Sequence, residues 1–384
     1  MLEFLNRPLS KNSQVLIILA LLALPVLYVL CKFDPRTRFT SLIFFGPAFD
    51  ERALPEVRAV PHAFAGKVGY DGQFYAQLAV DPALRSPDLP RALDNPSYRA
   101  KRILVPALCW LAGGGRPWLV IQIYAVINLL FFALLLAAMV RFLRPATLQH
   151  FLGVAAAMWT TGTLVSVERA LLDLPGTALT FLAAGLSGLA GFSVFAAAML
   201  TRESSLLSLP AVLWPRDRSR KKIGRLLLGA AVAMVPYFLW GLYVDHVFHS
   251  APYAPRHVFG MPLVSFFRHL GLAASSFTAR PNANSIFEIL APISLGAQVI
   301  YLLAKPRPAS AYWRMGVVFA VLFFFLSDAI FVEQAGYCRI LLPLTVAFNV
   351  LVVQERRQRF SGWFVAGNVG LIFEALRMAR ALFH

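Results

Sequence analysis

The stretch "GYDGQFYAQLAVDP", residues 69–82, is where this sequence is best equipped for chemistry. Gly69 and Gly72 bracket Tyr70 and Asp71, a pattern suited to a tight backbone turn that presents a carboxylate. Two readings of that carboxylate stand side by side: a poised acid, or an Asx-type turn in which Asp71 bonds nearby backbone N–H groups. "QFYAQLAV" then reads as a short amphipathic helix lying on a membrane surface. A second acidic stretch, "SVERALLDLPG" at 166–176, carries Glu168 and Asp173, and Asp173-Leu174-Pro175 has the form of a helix start with Asp as cap. Asp94-Asn95-Pro96 in "LDNPSYRAKR" reads as an ordinary turn or helix start. "DHVFHSAPYAPRH", 245–257, gathers Asp245, His246, His249 and His257, but His-x-x-His with no placed third ligand is a weak sign of metal. Cys31, Cys109 and Cys338 are far apart, without Cys-x-x-Cys spacing, and point to neither a metal site nor a disulfide framework.

The elements that must position these residues are apolar. Hydrophobic residues make up 58% of the chain and charged ones 14%, against about 25% charged in ordinary soluble domains. Mean hydropathy is +0.65. These values exclude a soluble globular protein and predict an all-α, polytopic membrane protein, a single membrane domain over 1–384. "MLEFLNRPLSKNSQ" precedes the apolar run 15–31, and no small-residue cleavage site follows, so that run is expected to be a retained first span. Further runs at 117–141, 150–167, 223–244, 285–304, 313–331, 338–354 and 361–376 each approach spanning length. The stretch 174–214 reads either as one long helix with an interfacial piece, or as three short helices broken near Gly188 and at Arg202-Glu203. About nine to eleven spans result.

Short loops rich in Lys and Arg stay cytoplasmic. Placing "RDRSRKKIGR" (216–225) inside also places Arg141, Arg144, Lys305, Arg307 and "ERRQR" (355–359) inside. The net charge of +17 then reads as anchoring against anionic membrane lipids and does not call for nucleic acid. Arg377 and Arg380 would fall outside after a ninth span, so the last helix is expected to lie partly in the interface. Helix parity puts four segments on the outer face: the long first loop 32–102 with its short interfacial helices, then 166–176, 245–284 and 332–340. Of nineteen Asp and Glu residues, eight are in that first loop, and Glu168, Asp173, Asp245 and Glu333 fall in the other three. The outer face is where the chemistry is expected.

"GYDGQFYAQLAVDP" followed by "LDNPSYRAKRILVPALCWLAGG" resembles the first outer loop of bacterial membrane proteins related to the C-type (GT-C) glycosyltransferases. "TRESSLLSLP" (201–210) is similar to a piece in which a basic or Arg-Glu pair ends a short helix, and "GYCRILLPL" (336–344) to their late outer loop. The resemblance implies a transferase in the bacterial inner membrane whose active site faces the periplasm. Its donor would be a polyprenyl-phosphate-linked sugar and its acceptor a glycan, lipid or cell-surface polymer. Asp71 would take the acceptor proton during attack at the anomeric carbon, with inversion if the displacement is single. Arg339 and Arg202, with Arg99 and Arg102 behind them, would hold the departing phosphate. Tyr70, Gln73, Tyr75, Glu168, Asp173, Glu203 and Tyr337 complete the expected substrate contacts. A divalent cation stays an open question, because the sequence holds no dense carboxylate set. Two alternatives are a polymerase or ligase of lipid-linked glycans, which normally carries its large loop late in the chain, and a non-enzymatic transporter or flippase, which keeps charges near the midplane and shows repeated halves.

Overall fold

The computed structural model describes residues 5, 7–213, 220–249, 258–355 and 357–383. The basic residues at 216–219, Arg356 and His257, invoked above, lie outside the described residues. Among those described, the chain is helical, with isolated β-bridges and no strand. A helix meets its own backbone hydrogen bonds, which is what hydrocarbon surroundings demand. Four helices are long and apolar enough to cross a membrane: Lys11–Cys31, Pro117–Leu143, Ile223–Phe248 and Ala283–Ala304. Two bent pairs raise the number to six, and Gly188–Thr201 and Ala311–Phe324 are shorter apolar helices. The protein is an all-α polytopic membrane protein; among the described residues these helices give four to six spans, or eight with the two shorter ones, fewer than the nine to eleven expected from the sequence.

Local chemistry sets the helix ends. Ser10 caps Lys11–Cys31 by accepting from the Ser13 N–H at 3.1 Å, and Asn282 opens Ala283–Ala304 with a capping box. Pro117 begins Pro117–Leu143, where its missing N–H costs nothing, and Arg144 ends it in the left-handed region at φ 48°.

Four expected spans are broken; of these, 313–331 ends as a helix at Phe324 and is followed by the separate short helix Asp328–Phe331. The run 150–167 divides into Leu148–Met158 and Thr161–Glu168, bent by 46°, and 338–354 into Gln334–Ile340 and Leu342–Val352, bent by 62°. In the second case Pro343 cannot donate back into the preceding turn. The two breaks lie against each other: a Cβ on Gly162 would sit 2.5 Å from the Cys338 carbonyl oxygen. At the first break the Thr163 hydroxyl donates to the freed Ala157 carbonyl at 3.0 Å, and carbonyls at and beyond the end of Thr161–Glu168 find donors on Pro117–Leu143. Asn128 Nδ2 donates to the Ser166 and Leu171 carbonyls (2.5 and 2.9 Å), and the Tyr124 hydroxyl donates to that of Ala170 at 2.6 Å. The run 361–376 is interrupted by a 3-10 turn at Val369–Leu371 before the short helix Phe373–Ala381. For 174–214 the broken alternative holds: Asp173–Gly185, Gly188–Thr201, a 3-10 turn Glu203–Ser208 and Leu209–Val212.

One expectation is overturned outright. Gly72–Val80 is not a surface helix, because every residue from Gly72 to Ala79 is buried. It packs on Leu104–Ala112 and Pro117–Leu143, and the chain at 44–54 covers its other side. Its glutamines serve that cover: Gln73 Oε1 accepts from the Gly46 N–H at 3.0 Å, and Gln77 Oε1 from the Leu54 N–H at 2.9 Å. An amphipathic period records that two faces differ, not whether lipid or protein covers the second.

Candidate functional site

The two glycines that bracket Asp71 are required by geometry. Gly69 takes φ 74°, and a Cβ there would approach the Gly46 nitrogen and the Phe44 carbonyl oxygen to 2.5 Å. A Cβ on Gly72 would meet the Arg169 carbonyl oxygen at 2.5 Å, so the turn is seated directly on the second acidic segment. Asp71 stands just before Gly72–Val80 and makes no side-chain cap bond. The Asx-turn reading therefore fails, and the carboxylate points to two arginines instead. Arg99 Nη2 donates to Oδ1 at 2.8 Å, and Arg339 Nη1 donates to Oδ2 at 2.7 Å.

Each arginine is held by its own element. Asn95 caps the short helix Pro96–Ala100, as its sequence predicts, by accepting from the Tyr98 N–H at 3.2 Å. This aims Arg99 so that it also forks onto Asp94, at 2.8 and 2.7 Å. Arg102, just after the helix, forks onto Glu203 at 2.8 and 2.5 Å and also donates to Tyr98. The Tyr75 hydroxyl accepts from both, from Arg99 at 3.2 Å and from Arg102 at 2.6 Å. At the end of Gly188–Thr201, Arg202 pairs with Asp173, and Asp173 also lies 3.8 Å from Arg339. Four carboxylates and four guanidiniums thus form one continuous, charge-balanced network. Asp173 opens Asp173–Gly185 as expected but does not cap it; its carboxylate goes to arginine.

Access is uneven along this network. The carboxylates of Asp71, Asp94 and Glu203 are 23%, 34% and 33% exposed, whereas Asp173 is 2% exposed. Beneath them Asp173, Thr177, Arg202, Ser204 and Arg339 line a cavity of about 10 Å³, room for about one water. Burial pushes the Asp71 pKa up, but the charges and hydrogen bonds of Arg339 and Arg99 outweigh it and hold the carboxyl well below the usual range. Glu203 is treated likewise by Arg102 and is lowered to about 2. Tyr70 is pushed up to about 12, mainly by burial. Its hydroxyl donates to Glu333 at 3.0 Å, and the Arg169 and Arg339 guanidiniums lie 4.5 and 5.1 Å from its ring centre.

Of the sequence-selected residues, the structure brings together Asp71, Tyr70, Tyr75, Asp173, Arg202, Glu203 and Arg339. Three stand elsewhere. Gln73 is occupied by backbone groups of Gly46 and Val68. Glu168 accepts from the Tyr28 hydroxyl at 2.7 Å and pairs with Arg377, in a second cluster that touches the first through Arg169 and Glu333. Tyr337 packs against Phe331 and His269, and its buried hydroxyl has no hydrogen-bond partner among the described residues. The sequence reading passed over Asp94 as a turn residue and ranked Arg99 and Arg102 last. Their signal was the density of "DNPSYRAKR" itself, with three basic residues within eight positions of an acid. Asp245 pairs with Lys101 at 3.0 Å, which links the start of 245–284 to the first loop. Among the described residues no group of three His, Cys, Asp or Glu side chains is placed to hold a metal ion.

Compared with protein-family models, curated proteins and solved structures, the chain matches none. The likeness to C-type glycosyltransferases therefore rests on the quoted sequence stretches alone.

Proposed function

We propose that this protein transfers a sugar from a polyprenyl-phosphate donor to a hydroxyl acceptor on the periplasmic face of the bacterial inner membrane. The observation that carries the reading is Asp71, partly exposed and clasped by Arg99 and Arg339 beside the cavity bounded by Arg202. A carboxylate so clasped is a poor base, and the same arginines are the natural partners of a phosphate. Donor binding turns this to use: the phosphate draws Arg339 and Arg202 to itself, and Asp71, left with Arg99 alone, regains part of its basicity. The acceptor oxygen then attacks the anomeric carbon and its proton passes to Asp71. The bond from carbon to the phosphate oxygen breaks, and polyprenyl phosphate leaves on the arginines. An apolar groove of about 360 Å³, lined by Ile103, Leu200, Pro236, Leu239, Trp240 and Tyr243, adjoins Arg102 and gives a lipid tail a path to the network.

The test is release of polyprenyl phosphate from a panel of polyprenyl-phosphate sugars by protein in nanodiscs, wild type against Asp71→Asn and Arg339→Gln. Loss of release by folded variants supports the reading; a fully active Asp71→Asn removes it. A second reading has its own observation, since helices broken back to back at Gly162 and Cys338 are a feature of transporters. Movement of a lipid-linked glycan across vesicles with no cleavage of the donor would favour transport.

A further inference from the structure

At the end of the bundle away from Asp71 lies a cavity of about 730 Å³ that the proposed chemistry does not use. Asp173–Gly185 connects the two places, because Ala184 is eleven residues beyond Asp173, about 16 Å along the axis. The cavity is enclosed by the turn into Gly188–Thr201, the first turns of Arg220–Phe248, Leu209–Val212 and the start of Ala311–Phe324. Its walls are apolar, with Leu186, Phe192, Leu226 and Val232 prominent. Leu189, Leu228 and Val232 are 76%, 66% and 56% exposed, so the cavity opens sideways onto a surface that only acyl chains would solvate favourably.

Charge at the cavity is one-sided. Arg225 and Arg314 are among its lining residues, and among the described residues no acid lines it. Arg314 is held by the carbonyls of Pro210, Pro308 and Ala211, which fix it in the wall. Arg225 is exposed at the lip. The volume falls within the range of about 300–1,000 Å³ typical of ligand pockets.

We propose that this cavity binds one anionic phospholipid, an acyl chain in the apolar part and the phosphate headgroup at Arg225. A neutral lipid would fill the same volume but would leave the positive lip uncompensated. Basic pockets between membrane helices select anionic headgroups in this way. The assignment is independent of the proposed transfer reaction and of which face is cytoplasmic.

The experiment is native mass spectrometry of the purified full chain, delipidated and then titrated with phosphatidylglycerol or phosphatidylcholine. Arg225→Gln removes the headgroup contact, and Val232→Trp blocks the opening from an exposed position that folding tolerates. Arg141→Gln, an exposed arginine outside the cavity lining, is the control for general attraction to anionic lipid. The expected result is tighter binding of phosphatidylglycerol, a preference that Arg225→Gln reduces about fivefold while Arg141→Gln leaves it intact. Val232→Trp should abolish retention of either lipid in protein that remains monodisperse. Equal binding of the two lipids, equal loss in both arginine variants, or full retention by Val232→Trp would each overturn the assignment.

Discussion

Two acid and arginine clusters stand close together in this protein and differ in access. Around Glu168, the Tyr28 hydroxyl, Arg377 and Glu374 tie the first spanning helix to the last short one, with the two carboxylates only 4% and 5% exposed. Around Asp71 the same kinds of side chain form a longer network, with three carboxylates between 23% and 34% exposed and a small cavity beneath. The chemistry of the pairs is alike, so charge alone does not distinguish a clamp from a site. Solvent access and an adjoining apolar groove do.

The comparison can be broken or sharpened by substitution. The largest effect is expected at Asp71→Asn, which should lower sugar transfer by at least about 100-fold, the lower bound for loss of a general base. Protein of wild-type thermal stability with wild-type turnover would erase the difference between the clusters. Glu168→Ala should act on folding instead, costing about 1–3 kcal/mol because the Tyr28 hydroxyl is left buried without its acceptor. Chemical denaturation in a fixed detergent reads this directly, with turnover per folded molecule unchanged. Glu333→Gln should cost less than about 1 kcal/mol, since that carboxylate is 45% exposed and water screens its pair with Arg169.

The smallest effect is expected from pH. Asp71 is ionised more readily in the folded than in the unfolded chain, so its pairs contribute stability that is fully present above the ordinary carboxylate pKa of about 3.9. That contribution is lost only as pH falls through the lowered folded value. Thermal midpoints of wild type and Asp71→Asn should therefore keep a constant separation from about pH 5 to 9 and converge only in strong acid. Convergence already near pH 6 would mean that the arginines do not hold Asp71 as described.

Much of this was legible in the sequence, for identifiable reasons. Apolar composition dictates helices, and helix parity predicts that 32–102, 166–176, 245–284 and 332–340 gather on one side; the pairs of Arg339 with Asp71 and Asp173 and of Lys101 with Asp245 link one residue or more from each. Turn chemistry reveals Asp71, since Gly69 and Gly72 are needed by the backbone itself. What the sequence hides is pairing over distance. Nothing local says that the Asp71 carboxylate faces residue 339 rather than its own backbone, or that Glu168 answers to Tyr28. Helix breaks are hidden as well. Thr160 takes an extended conformation inside an apolar run that carries no proline, and the Ala157 carbonyl freed there accepts from the Thr163 hydroxyl.

Arg339 is the last residue but one of Gln334–Ile340, just before the 62° bend into Leu342–Val352. The helix beyond the bend is buried along its whole length, so it is the fixed arm of a lever and Gln334–Ile340 the short one. A rotation at Leu341 that carried the guanidinium away from Asp71 would also have to move the buried Ala335, Tyr337 and Cys338 of the short arm. The clasp on the acid is thus mounted on the short arm of a bend, and that arm bears through the carbonyl of Cys338 on the bare backbone of Gly162. A side chain at position 162 would jam it from a place that touches none of the charged groups.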